Sequence, residues 1–325
     1  MATALATLLA LPTVPLASEP TPIQPLIRFG AALGRPAPKL FIKRDDLLSF
    51  GLGGSKVRKI QAVAAEARSA GADTLITCGA VQSNHARVTA AAGAALGMDV
   101  VLVLNGSPPT DATGNLRLSE LFGAKVHYVA SRADRVPAMN TVAEDLRSRG
   151  RRPFIVPLGA STVTGVAGMA RGVGELAASA LRPDVIVLAT SSGGTQAGLI
   201  AGCSLFGLRA RIVGVSADDA AVSIAQTVRA LLVDLAPRLG ASAAALGASD
   251  RIDIDDRFVG EGYGVPTPAS TEALQLLART EGILLDPVYT AKAMAGVIAK
   301  IAEGELTANQ TVLFWHTGGD PAFFA

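Results

Sequence analysis

The chain has 325 residues, half of them hydrophobic and 17% charged, with a formal net charge of +2. A chain of that length buries most of the surface its unfolded form exposes, so one large α/β domain or two modest ones can fold without staples. The small net charge and scattered basic residues argue against a nucleic-acid footprint.

Cys78 and Cys203 each lie in an apolar stretch, where a thiol behaves as a small hydrophobe in a reducing compartment. They and the three histidines, His85, His127 and His316, lack the spacing of a zinc site, so no metal is expected. Residues 2–16 are apolar but have no positive leading charge and are broken by Pro12 and Pro15. A membrane helix needs about 20 apolar residues, and a secretory signal usually carries a basic start. The stretch therefore reads as an ordered arm of a cytoplasmic protein.

After the proline-spaced residues 20–25, residues 40–43 read as a strand and 55–70 as a helix with Val57, Ile60, Val63 and Ala64 on one stripe. Strand 74–77, helix 83–96 and strand 100–104 follow, then helix 114–122, strand 125–129, helix 139–149 and strand 154–156. Arg147, Arg149, Arg151 and Arg152 read as a solvated helix end. The rhythm resumes with helix 163–180, strand 185–189, helix 195–206 and strand 212–215. Residues 220–248 are helical in composition without readable boundaries; helices 271–281 and 290–303 and strand 312–315 close the chain. Short apolar strands alternating with helices predict doubly wound, mainly parallel sheets, with a ligand at the carboxyl ends of the strands.

Six segments carry the candidate chemistry. Gly51-Leu-Gly-Gly-Ser-Lys56 puts a lysine at a helix start, where it can be solvated, bind phosphate or serve as a reactive amine. Thr190-Ser-Ser-Gly-Gly-Thr195 follows a strand and opens a helix, so its backbone N–H groups can bind an anion; serine and glycine there are also ordinary turn chemistry. Ser83, Asn84 and His85 start another helix and can receive a carboxylate, although a simple cap accounts for Ser83. Tyr263 and Tyr289 sit in turns and, with Lys56, offer several groups able to move a proton, whereas a single turn tyrosine is usually structural. After the last predicted strand, Trp315-His-Thr317-Gly-Gly allows close approach by a flat ligand, with His316 as readily structural as catalytic.

Together with Thr21-Pro-Ile-Gln-Pro25 and Phe41-Ile-Lys-Arg-Asp-Asp46, these stretches resemble the D-cysteine desulfhydrase and aminocyclopropane-carboxylate deaminase family, pyridoxal-phosphate enzymes of the tryptophan-synthase β fold, fold type II. The resemblance implies that Lys56 carries the cofactor, that Asn84 bonds its phenolic oxygen, and that Ser192, Gly193, Gly194 and Thr195 cradle its phosphate, with Lys59 assisting and Thr317 beside the ring. It implies a small amino-acid substrate whose carboxylate meets Ser83, Asn84 and His85, and a substrate side lined by Tyr263 and Tyr289, with Lys56, Ser83 and the tyrosines catalytic. It further implies a cofactor cleft between a larger domain (residues 1–50 and 161–325) and a smaller one (51–160), in a homodimer.

Within the family, deaminases carry a glutamate after the second tyrosine and a leucine in the C-terminal His-x-Gly-Gly motif; here Thr290 and Thr317 stand instead. Neutral hydroxyls suit a weaker electron sink, so the expected reaction is elimination from D-cysteine. Cyclopropane deamination, L-cysteate sulfo-lyase or other amino-acid lyase activity, and cofactor or amino-acid binding without turnover are the alternatives. The chain departs from the usual family pattern at Ser55 (Asn), Val57 (Thr) and Gly159-Ala-Ser-Thr162 (Gly-Gly-Ser-Asn).

Overall fold

Apolar runs bounded by glycine turns become strands of two sheets in the computed structural model, which describes residues 1–17 and 20–325. The first part of the chain forms α1 (Ala2–Ala10), β1 (Ile23–Pro25), α2 (Ile27–Ala32), β2 (Lys39–Arg44) and α3 (Lys56–Ser69). The middle alternates as β3 (Thr74–Ala80), α4 (Asn84–Leu96), β4 (Asp99–Asn105), α5 (Gly114–Leu121), β5 (Lys125–Val129), α6 (Arg135–Ser148) and β6 (Pro153–Val156). The remainder is α7 (Val163–Ala178), β7 (Val185–Thr190), α8 (Gly194–Phe206), β8 (Arg211–Ser216), α9 (Ala221–Leu239), β9 (Asp253–Asp255), α10 (Pro268–Glu281), α11 (Thr290–Ala302) and β10 (Thr311–His316).

One sheet has the order β1-β2-β10-β7-β8-β9 and the other β5-β4-β3-β6. Every pairing is parallel except β1 with β2, as doubly wound connections require. All six residues of β7 are buried, the signature of a central strand covered on both faces. Among the described residues no helix is long and apolar enough to cross a membrane.

Helix α3 packs on α7 through glycines. A Cβ on Gly168 would lie 2.4 Å from the Arg58 carbonyl oxygen, and one on Gly172 would lie 2.8 Å from Arg58 Cδ. That close approach delivers Arg58 to a buried ion cluster. Its Nε and Nη2 bond Asp45 at 2.9 and 2.8 Å, and Nη1 bonds Glu175 at 2.6 Å. Lys43 pairs with Glu175, and Trp315 Nε1 donates to Asp45 at 2.8 Å. Burial alone would raise the Asp45 carboxyl, but Arg58, Lys43 and the Trp315 bond hold it below its ordinary value.

The structure departs from expectation at the periphery. Residues 2–10 of the expected arm form α1, whose Ala4 and Leu8 pack with α9 in a buried cluster. The elements β1, α2 and β9 carry no pattern of their own; two are three-residue strands at the sheet's edges. Helix α6 begins at Arg135, not 139, because Pro137 lies in the first turn, where its missing N–H costs no hydrogen bond.

Replacing Arg58 by Met should lower unfolding free energy by about 3–5 kcal/mol, because the buried Asp45 loses its main charge partner and Glu175 keeps only Lys43 as a cation. Urea unfolding measures it; a loss under about 1 kcal/mol would show that the cluster is not a stabilising unit.

Candidate active site

The carboxyl ends of strands from both sheets face one cavity. Ala80, Asn105 and Thr190 end β3, β4 and β7 in its wall, and Asp218 and Thr317 follow β8 and β10 there. This is where open α/β sheets bind ligands. Lys56, the first residue of α3, is partly buried and opens on the cavity. The turn before it needs glycine: Gly53 and Gly54 have φ of 79° and 99°, and a Cβ on Gly54 would lie 2.9 Å from the Thr317 oxygen. Ser55 N–H donates to that same oxygen at 3.0 Å, so the lysine loop is locked to the segment after β10.

Lys59, one turn further along α3, is fully buried and is not in the cavity wall; among the described residues its Nζ meets no acceptor beyond the neighbouring Lys56 amine. Burial, then the Lys56 amine, pushes Lys59 well below the ordinary lysine value. Burial also lowers Lys56, against opposing pulls from its contact with Lys59 and from Asp218. A lysine so placed reaches its neutral, nucleophilic form more readily than a solvated one.

Across the cavity, Ser192, Gly193 and Thr195 line the turn from β7 into α8, with Gly194 the first helical residue. Gly193 has φ of 73°, and the first-turn N–H groups of α8 have no helical acceptor. A Cβ on Gly194 would lie 2.5 Å from Ser161 Oγ, and one on Gly159 would lie 2.3 Å from Ser192 Oγ. Ser161 Oγ itself donates to Ser192 Oγ at 2.9 Å. The Gly159-Ala-Ser-Thr162 stretch is thus the back wall of this anion cradle, a contact that no local motif announces. Thr190 Oγ1, beside it, is buried without a partner.

Ser83 caps α4 by accepting from Ala86 N–H at 3.2 Å, as the plain reading of that residue held. Gly79 makes room for it, since a Cβ there would lie 2.5 Å from Ser83 Oγ. Asn84 Oδ1 accepts from Asn115 Nδ2 at 3.1 Å, which leaves the Asn84 amide free to donate. The His85 ring is buried against Thr77 Oγ1 at 2.7 Å. Burial, then Lys56 and Lys59, keeps the ring neutral by pushing its pKa well below the usual value. His85 therefore offers an anion its backbone N–H at the helix start, and no ring charge.

Tyr289 donates to Tyr263 across 2.7 Å, with the rings edge to face at 5.8 Å. Burial raises both phenols, Tyr289 the more strongly, so both stay protonated at neutral pH. Thr290 does not reach the cavity wall: its hydroxyl bonds Asp286 Oδ1 at 2.8 Å. Thr317 does reach it. His316 is structural, its Nε2 against the Leu284 carbonyl at 2.8 Å.

Three arginines in the wall, Arg87, Arg132 and Arg135, were not among the sequence candidates. Arg87 bonds the Gly53 carbonyl at 2.8 Å, and burial holds its pKa down at about 10. The residues present fit a phosphate-bearing aldehyde: a lysine amine, a glycine-built anion cradle, and buried hydroxyl and ammonium groups still lacking partners.

Lys59 makes a pH prediction. Its native pKa is depressed, so between that value and the ordinary ~10.4 the unfolded chain binds more protons than the native one. Stability of the cofactor-free protein should therefore rise with pH through that window. Urea midpoints between pH 7 and 10 should climb in the parent and climb less in Lys59→Met; parallel curves would remove Lys59 as the source.

Comparison with known proteins agrees with this geometry. The chain is 38% identical over 322 residues to a D-cysteine desulfhydrase of Salmonella schwarzengrund, covering 97% of this chain and 96% of that one. A crystal structure of an ACC deaminase homologue superimposes with a TM-score of 0.91 at 35% identity, covering 100% of this chain and 97% of the other. The processed form of threonine deaminase isoform 2 from Solanum lycopersicum shares the fold at a TM-score of 0.68 and 17% identity, over 97% of this chain and 83% of the other. Residues 14–318 match the family described as pyridoxal-phosphate dependent enzymes, and the chain belongs to that family.

Proposed function

We propose that the protein is a lyase that eliminates the β-substituent of a small amino acid, with D-cysteine the leading substrate. The products are then pyruvate, ammonia and hydrogen sulfide, with one water consumed. The observation that carries this reading is Lys56, a desolvated amine with the Ser192-to-Thr195 cradle and the α4 start in the same cavity wall. The near full-length likeness to D-cysteine desulfhydrases supports the substrate.

When bound, pyridoxal phosphate supplies the electron sink that makes the α-proton labile. Each chain residue then has a task. Lys56 would hold the cofactor through its amine and would accept the substrate's α-proton. The cradle would hold the phosphate, and Lys59, buried behind the wall, would gain charge from an anion bound there. Asn84 donates its amide to the phenolic oxygen, while Ser83 and the N–H groups of Asn84 and His85 hold the substrate carboxylate. Tyr263, which accepts from Tyr289 and so keeps its own proton free, donates toward the departing group. Thr317, a neutral hydroxyl in the same wall, would suit expulsion of a good leaving group.

A cleft between lobes of residues 1–50 with 161–325 and of residues 51–160 fits this division of labour, as does a cytoplasmic homodimer. Cyclopropane deamination is the second reading, favoured by the ACC deaminase homologue; cysteate elimination and binding without turnover remain the other outcomes of the test.

The test combines spectrum and products. Lys56→Ala should lose the visible band of the bound cofactor and all keto-acid production, and an unchanged band would remove Lys56 from the attachment. Pyruvate and sulfide from D-cysteine should exceed α-ketobutyrate from aminocyclopropane-carboxylate; the reverse order would favour the deaminase. A loaded protein silent on cysteine enantiomers, cysteate and chloroalanine would be a binder only.

A further inference from the structure

Arg135 opens α6 and lines the cavity, yet the residue is only 7% exposed. Among the described residues it forms no ion pair. Its Nε donates to Asn105 Oδ1 at 2.9 Å, its Nη2 donates to the same oxygen, and its Nη1 meets no protein acceptor. A guanidinium taken out of water without a carboxylate is costly, and the usual resolution in a cavity wall is an anionic ligand.

Arg135 belongs to neither of the anion positions already assigned. Those lie at the first turns of α8 and α4, whereas Arg135 is held by the end of β4 and is electrostatically coupled to Tyr263 and Tyr289. Arg132 stands in the same wall with its own charge partly answered, at 3.8 Å from Asp218 and 3.3 Å from Asp219. Cys78, also coupled to Arg135, supplies no counter-charge, since burial raises its thiol. With phosphate and α-carboxylate accounted for, the anion left for Arg135 is the substrate's side group.

We propose that Arg135, oriented by Asn105 and flanked by Arg132, is a specificity-determining residue that binds a negatively charged sulfur group on the substrate β-carbon, a sulfonate or an ionised thiol. The proposal rests on the lyase reading above and sharpens its substrate class. In the step it serves, the Cβ–S bond breaks and sulfur leaves with the electron pair, as sulfite or hydrosulfide. Neither oxidant nor reductant is needed. Arg135 faces an anion before and after the break.

The test uses the holoenzyme, in which the cofactor phosphate already fills the cradle. Relative to the parent, R135Q should lose about a hundredfold in kcat/KM for cysteate, the scale of one lost hydrogen bond to a charged group. For β-chloroalanine, whose side group is neutral, the loss should stay under about threefold. A selective loss on cysteine instead of cysteate would assign the thiolate as the anion. Equal losses on all three substrates would overturn the proposal.

Because R135Q could weaken folding, R135K provides the second variant: it should regain part of the selective loss, and failure to do so at a parental melting temperature would count against a charge role. Methanesulfonate, an inert probe, should bind the parent holoenzyme in calorimetry and bind R135Q at least tenfold more weakly. Equal binding to both would overturn the subsite. Selective methanesulfonate binding with no elimination from any amino acid would overturn the lyase reading and leave the subsite standing.

Discussion

The bond set around Arg58 is the constraint on which the rest depends. One guanidinium holds Asp45 and Glu175, while Lys43 and Trp315 complete the cluster. Its members come from α3, α7, β2, β10 and the turn after β2, so a single buried group fixes elements far apart in sequence. Buried ion clusters stabilise little against an apolar isostere, but removing one member strands the others. Here the cluster also fixes position. Lys56 lies two residues before Arg58 on the same helix, so the geometry that satisfies Asp45 also sets where the reactive amine emerges.

The charge balance of the cavity follows the same logic in reverse. Outside the cluster, the wall gathers Lys56, Arg87, Arg132 and Arg135, with Lys59 behind it and Asp218 among the few carboxylates near. Keeping these cations out of water works against folding: burial lowers Lys56, Lys59 and Arg87, and in Lys59 the neighbouring Lys56 amine adds to it. An anionic cofactor and an anionic substrate relieve it. Binding free energy is therefore drawn partly from groups such as Lys59 Nζ, Thr190 Oγ1 and Arg87 Nε, which among the described residues are buried without partners in or behind the cavity wall.

The central architecture was legible because buried parallel strands are continuous apolar runs ended by glycine or serine, and their helices show stripes of period 3.6. The strand ends that carry Lys56's locking partner Thr317, Ser83 and Ser192 were legible for the same reason: turn chemistry after an apolar run marks the ligand edge. The edge strands β1 and β9 were not, being three residues long with no alternation to read. Arg132 and Arg135 resemble surface charges in the sequence. Their position directly after strand 125–129 was the available signal, but the contact with Asn105 exists only once β4 and β5 pair. Thr290 shows the opposite failure. Its family position suggested a place at the ring, while its hydroxyl is spent on Asp286.

That last contact explains how the tyrosines are held. Asp286 collects the N–H groups of Val288, Tyr289 and Thr290, so the loop entering α11 has one shape and Tyr289 one direction. From the same helix the buried Lys292 donates to the carbonyls of Ala217, Val259 and Gly262. Those oxygens precede Asp218 on one side and Tyr263 on the other. One ammonium thus ties two cavity loops to α11 without consuming a carboxylate, which leaves Asp218 to face Arg132 and Ser191. The 2.7 Å contact between the phenols is then a consequence of backbone anchoring, not of ring packing alone. Because Tyr289 spends its one proton on Tyr263 and both phenols remain protonated, the Tyr263 hydroxyl is the donor left free, already ordered by the protein.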